Sequence, residues 1–260
     1  MTCRGHGADV RTIKLTLAYD GTAYVGWQRQ ATGVSVQGLL ESALAPFEGG
    51  PVPVVGAGRT DAGVHALGQV ASFPLLHAIG PDALVRALNA RLPADVRALG
   101  GEDAPPGFHA RRDARHKTYR YRLLNGPVAG PLEARFAWHV PEPLDIAALV
   151  DALRRVEGTH DFAAFQASGS SARTSVRRVL RATASLAPAA DPGGGEVVTI
   201  ELTADGFLRH MVRNIVGTVV EVGRGRRAPA CMEVVLAGRD RSAAGATAPP
   251  QGLCLVRVAY

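Results

Sequence analysis

Cysteine is scarce in this chain and lysine scarcer. The three cysteines, Cys3, Cys231 and Cys254, lie far apart among 260 residues and form no C-x-x-C pair. That spacing excludes a disulfide framework and a thiolate zinc site, and it points to free thiols in a reducing cytoplasm. No apolar run approaches the roughly 18 residues that a spanning helix needs. The opening MTCRGHGADVR lacks the apolar core of a signal peptide, and residues 1–10 read as a disordered lead-in. His65, His109, His116, His160 and His210 are scattered, with no H-x-x-x-H or H-E-x-x-H pattern, so no metal site is expected. A G-x-S-x-G elbow is also missing. Ser168 to Ser171 reads as a loop, which argues against an acyl-enzyme.

What is present is base, carried almost wholly by arginine. Lys14 and Lys117 are the only lysines, yet the formal net charge is +6. A proteome-wide bias towards Arg accounts for the choice of base but not for its excess over acid. Arg is the better planar donor to phosphate, and a basic balance suits a polyanionic partner. Hydrophobic residues make up 47% of the chain, enough for a proper core. The 30 glycines and 17 prolines are spread through periodic segments, which implies many turns rather than disorder.

Ile13, Leu15, Leu17 and Tyr19 alternate as on a strand. A loop spans Gly21 to Gly33. Val36, Leu39, Leu40, Ala43, Leu44 and Phe47 recur at helical spacing behind Ser35, a capping residue. Val52–Val55 and Gly68–Phe73 read as strands around a glycine-rich loop, Pro81 opens a second helix, and a strand follows over Asp95–Leu99. The order is βαββαβ. The second half repeats it, with strands at Lys117–Leu124, Arg173–Ala187, Glu196–Ala204 and Leu253–Val258. Its helices run from Asp145 and over Leu208–Val219, and Pro229 opens a further one. Ala189 to Gly195 is a hairpin connector. The expected class is α+β: two tandem ferredoxin-like halves, residues 11–105 and 106–260, with mainly antiparallel sheets around a central cleft. No internal sequence repeat accompanies the repeated element order.

The most unusual segment is Gly56-Ala-Gly-Arg-Thr-Asp-Ala-Gly-Val-His-Ala66. A strand followed by G-x-G opens a dinucleotide-binding loop, but the third glycine is misplaced and the following residues alternate, so no helix N-terminus awaits a pyrophosphate. A purely structural turn explains the glycines and leaves Arg59, Thr60 and Asp61 together unexplained. A carboxylate beside an arginine in a tight loop is suited to staying ionised, as a nucleophile or base must. With no second carboxylate in the loop, a two-acid glycosidase pair is not indicated. Tyr119 and Tyr121 share one strand face and Arg120 and Arg122 the other, an arrangement for stacking and for phosphate. On a helix over Phe207–Asn214, Arg209 and Arg213 fall at i, i+4. Two readings stand for them: a solvent face, or Arg213 turned inward to pair a carboxylate such as Asp61.

These segments resemble the tRNA pseudouridine synthase A family. The resemblance runs through Tyr24-Val-Gly-Trp-Gln28, Val36-Gln37, GRTDAGVHA at Gly58–Ala66, Gly68-Gln69-Val70 and Phe73. It continues through Ala87-Leu88-Asn89, Leu92-Pro93, Phe108-His109-Ala110-Arg111, Tyr119-Arg120-Tyr121 and His160-Asp161-Phe162 with Phe165. Arg173-Thr174, Phe207-Leu208, Met211-Val-Arg-Asn-Ile-Val-Gly217 and Gly252-Leu253 complete it. It covers essentially the whole chain, with mild departures at Ser35, Lys117 and Thr118. The resemblance implies a cytoplasmic homodimer that isomerises uridine to pseudouridine at positions 38, 39 and 40 of the tRNA anticodon stem-loop, without cofactor or metal. It implies Asp61 as the catalytic aspartate, Arg59 as the basic residue linked to base flipping, Tyr119 as the residue that stacks on the target base, and Arg213 as the partner of the aspartate. Attack on C1′, addition to the ring and abstraction of the 2′ proton all stand open for Asp61. A non-catalytic RNA-binding module on the same sheets is the rival reading.

Overall fold

A computed structural model of the chain describes residues 10–169, 172–190 and 195–260. The lead-in expected over residues 1–10 falls, but for Val10, outside the described residues. So do Ser170, Ser171 and residues 191–194 of the expected connector. The chain divides into two compact units, Met1–Ala114 with Tyr260, and Arg115–Ala259. It is mixed α+β, with six α-helices and mostly antiparallel strand pairing among the described residues. No described helix is long and apolar enough to cross a membrane.

In the first unit, β1 (Arg11–Tyr19) buries Ile13, Leu15, Leu17 and Tyr19, so the alternation read from sequence sets the buried face. α1 (Val36–Glu48) begins where Ser35 accepts the amide of Gly38 at 3.2 Å, which satisfies one of the helix's orphan donors. It buries Val36, Leu40, Ala43 and Leu44 as one stripe. β2 is only Val55–Gly56, and β3 (His65–Leu75) starts three residues before the expected strand. α2 (Pro81–Asn89) opens on Pro81, where a missing N–H costs nothing, and buries Leu84 and Leu88. β4 (Val96–Ala104) follows. β1 pairs antiparallel with both β3 and β4, and β2 takes the other edge of β3, giving the order β4-β1-β3-β2. Asn89 ties α2 to β4 by giving and taking hydrogen bonds with the backbone of Ala98 at 2.8 and 2.9 Å.

In the second unit, β5 (His116–Asn125) is flanked by β9 (Glu196–Ala204) and β10 (Leu253–Ala259). β8 (Val176–Pro188) and β7 (Gly158–Asp161) continue the sheet beyond β9. The order is β10-β5-β9-β8-β7, antiparallel throughout. A three-residue β6 (Trp138–Val140) runs parallel to the end of β5, and a single helical turn, α3 (Pro131–Ala134), precedes it. α4 (Ile146–Arg154) is capped by Asp145, whose carboxylate accepts from Ala148 at 2.9 Å. α5 (Met211–Gly223) is buried over most of its circumference, packs on α4, and is followed by α6 (Cys231–Gly238).

α5 corrects one expectation. The helix begins at Met211, because His210 sits at φ 60°, ψ 3° and breaks the helical run. Arg209 therefore lies before the helix, where its Nη1 donates to the carbonyl of Ser168 at 2.9 Å. It does not share an i, i+4 face with Arg213.

Candidate active site

The loop between β2 and β3 is held from both sides. Its first residue, Ala57, donates its amide to the carbonyl of Val70 at 2.7 Å. Gln69, fully buried on β3, donates to the carbonyl of Gly58 at 2.9 Å. The Thr60 hydroxyl is 2.8 Å from the Tyr19 phenol in a buried contact, and its carbonyl accepts the amide of Trp27 at 3.0 Å. The amide of Val64 closes the turn on the carbonyl of Asp61 at 3.1 Å. These bonds leave the backbone of Arg59-Thr60-Asp61 little freedom before any substrate arrives.

Residues 20–28 form the other wall. Gly26 lies at φ +107°, and a Cβ there would stand 2.5 Å from the Thr60 carbonyl oxygen and 3.0 Å from the Asp61 carbonyl carbon. A Cβ on Gly21 would strike the Val64 carbonyl, and one on Gly56 the Trp27 indole. Glycine is thus required at these three close approaches. The Tyr24 phenol secures the wall by donating to Asp95 at 2.5 Å. Burial first and this hydrogen bond second push the phenol's pKa well up, so it remains a donor. The Nδ1 of buried His65 lies 3.0 Å from the Gly21 amide nitrogen and 3.1 Å from the Asp20 carboxylate.

Arg59 and Asp61 are brought together by the loop itself. Arg59 is exposed and Asp61 half-buried. The Arg59 Nε donates to the Gln28 side-chain oxygen at 3.1 Å, and the Gln28 amide donates to Gln37 at 2.7 Å. Neither glutamine carries a mark of this role in the sequence. Each stands inside a resembling motif, but no spacing rule links Gln28 to an arginine 31 residues on.

Tyr119 and Arg213 belong to the second unit. Tyr119 is buried on β5, with its ring 5.1 Å from that of Phe207 at 84°, an edge-to-face pair. Tyr121 shares that face, fully buried, and donates its hydroxyl to Pro249 at 2.7 Å. Burial drives the Tyr121 phenol's pKa far up, and the charge of Arg213 opposes the shift. Half-buried in the first turn of α5, Arg213 donates from Nε to the carbonyl of Ala248 at 2.7 Å. The opposite face of β5 differs from its sequence expectation. Arg120 is held on Glu201 at 2.8 Å and Arg122 on Glu133 at 2.9 Å, so both guanidiniums are engaged by carboxylates. Among the described residues no cluster of His, Cys, Asp and Glu is placed to hold a metal ion.

A family model described as tRNA pseudouridine synthase matches residues 16–111 and 152–260. The chain belongs to the tRNA pseudouridine synthase family, enzymes that isomerise uridine to pseudouridine in tRNA. Among its relatives is the tRNA pseudouridine synthase A of Syntrophotalea carbinolica, 48% identical over 95% of this chain and 96% of that one. The protein of the same name from Pelobacter propionicus is 46% identical over 96% and 100% of the two chains. That of Moorella thermoacetica is 46% identical over 95% and 99%.

Proposed function

We propose that this enzyme converts uridine to pseudouridine at positions 38, 39 and 40 of the tRNA anticodon stem-loop, with Asp61 as its catalytic group. The observation that carries the reading is a single carboxylate on a loop fixed before substrate arrives, in a chain of this family. The reaction breaks the bond from N1 to C1′, turns the uracil, and joins C5 to C1′. The proton lost from C5 is balanced by one gained at N1, so no cofactor is consumed. A stacked base hides these atoms, and extruding it costs a few kcal/mol. Arg59 works in that extrusion, Tyr119 stacks on the released base and Arg213 supports the aspartate. Phosphate contacts from arginine and stacking offset the cost.

The enzyme acts as a cytoplasmic homodimer in this reading. The free thiol of Cys231 suits a reducing compartment. Its two units are tandem ferredoxin-like halves, a reading supported by the order β4-β1-β3-β2 in the first and the run β10-β5-β9-β8 in the second.

Mapping pseudouridine in unmodified tRNA transcripts after incubation tests the assignment. Conversion is expected at uridines 38, 39 and 40 and at no other loop; conversion confined to another arm would refute the site. Affinity for the same transcripts should fall steeply with salt, with a log–log slope of several units from several phosphate contacts. A flat salt dependence would point to a small neutral substrate instead. Sedimentation should give a dimer, and a fully active monomer would remove that part of the reading.

A further inference from the structure

We propose that Gln28 and Gln37 form a relay of fixed polarity that positions Arg59, with Gln28 as the positioning residue. The inference rests on the reading of Arg59 as a substrate-binding group and adds what holds it there.

An amide side chain has a donating and an accepting end, and only its surroundings decide which way it points. Main-chain groups decide it for Gln37. Its oxygen accepts the backbone amide of Arg29 at 2.9 Å, and its nitrogen donates to the carbonyl of Val54 at 3.0 Å. A backbone N–H can only donate and a backbone carbonyl can only accept, so Gln37 cannot be reversed. The Glu41 carboxylate, 3.0 Å from the Gln37 nitrogen, reinforces the same sense. The Gln37 oxygen must then receive the Gln28 amide nitrogen, at 2.7 Å. The Gln28 oxygen is left facing the Nε of Arg59 at 3.1 Å. The polarity passes from the backbone at Val54 and Arg29 through two side chains to the guanidinium.

A surface arginine otherwise samples many rotamers, and fixing it costs side-chain entropy. Here an uncharged acceptor takes Nε and leaves the charge undiminished. A carboxylate in the place of Gln28 would hold Arg59 as firmly but neutralise it towards phosphate. The backbone supports the same geometry. Gln37 donates its own amide to the Trp27 carbonyl at 3.0 Å, and Trp27 donates to Thr60 next to Arg59. The start of α1, the wall and the loop are therefore linked in one chain of backbone hydrogen bonds.

The test combines a structural and a functional readout on the full chain. In Gln28→Leu, the Nε–H resonance of Arg59 should shift and lose its protection from solvent exchange, with the thermal midpoint close to wild type. Single-turnover pseudouridine formation should slow about tenfold, the scale of one hydrogen bond to a charged group. The slowing should vanish when Gln28→Leu is added to Arg59→Ala, because the relay then has nothing to hold. Gln37→Met, which frees the Gln28 amide to turn, should give a smaller loss of the same kind. Full turnover by Arg59→Ala would remove the reading of Arg59 and the inference with it. Impaired turnover by Arg59→Ala together with an unchanged Arg59 resonance in Gln28→Leu, or with an equal tenfold loss in both backgrounds, would remove the inference alone.

Discussion

Asp61→Asn is expected to bind tRNA within a few-fold of wild type and to form pseudouridine at least ~10⁴-fold more slowly, the scale seen when a single essential group is removed. The turn that carries Asp61 is closed by its backbone carbonyl, which accepts from Val64 at 3.1 Å, and by bonds to Gly58 and Thr60. These bonds are made by the backbone and by Gln69 and Tyr19, and all of them remain available in the variant. Affinity spread over many phosphate contacts, as proposed above, is insensitive to one neutralised acid. Asp61 is the only carboxylate between Gly56 and Ala66, so no neighbour in the loop can replace it. Filter binding and single-turnover kinetics on one preparation separate the two effects. Turnover near wild type would revive the reading of a non-catalytic RNA-binding module.

Gly26→Ala is expected to damage both stability and turnover, although residue 26 carries no functional group. A side chain at φ +107° costs about 1–3 kcal/mol in backbone strain. The new methyl would also press on the Thr60 carbonyl and the Asp61 backbone. Those atoms are main chain held by their own hydrogen bonds, so no flexible end can yield, and overpacking adds about 1–3 kcal/mol. Displacing the Asp61 peptide by as little as about 1 Å should lower turnover on the order of a hundredfold. Gly49→Ala is the control. Gly49 ends α1 at φ +67° with nothing within 4 Å of a Cβ. It should lose about 1 kcal/mol in a denaturant titration and keep full turnover. Equal behaviour of the two variants would show that strain alone, and not contact with the loop, decides the outcome.

Local chemistry was legible in the sequence, and distant partnership was not. Ser35, Pro81 and Asp145 mark helix starts where the structure places them, because a cap acts on the next three residues. The strand Glu196–Ala204 agrees residue for residue. β6 and α3, three and four residues long, are too short to carry a period. Leu208, Met211 and Val212 have helical spacing and read as the first turn of α5, while the left-handed His210 that delays the helix leaves no mark in composition. In the candidate site, Arg59 and Asp61 are neighbours in the chain, and their shared loop could be seen directly. The ion pairs of Arg120 with Glu201 and Arg122 with Glu133 join residues 81 and 11 positions apart. They turned an apparent phosphate-facing row into an internally compensated one. The role of Gln28 depends on two side chains that meet it from distant segments, and that of Gly26 on backbone passing within 3 Å, and both are properties of the fold.

The same wall bears on transplanting the nine residues Gly58–Ala66 into a foreign scaffold. Their shape is imposed from outside: by Gln69 and Tyr19 from the sheet, and by the backbone of residues 21–27 pressed against them through bare glycines. Moved alone, the segment would carry its arginine and aspartate but not the template that shapes them. The smallest portable unit therefore runs from β1 to Asp95, the anchor of Tyr24, and substitutions across that whole stretch should drift together rather than one at a time.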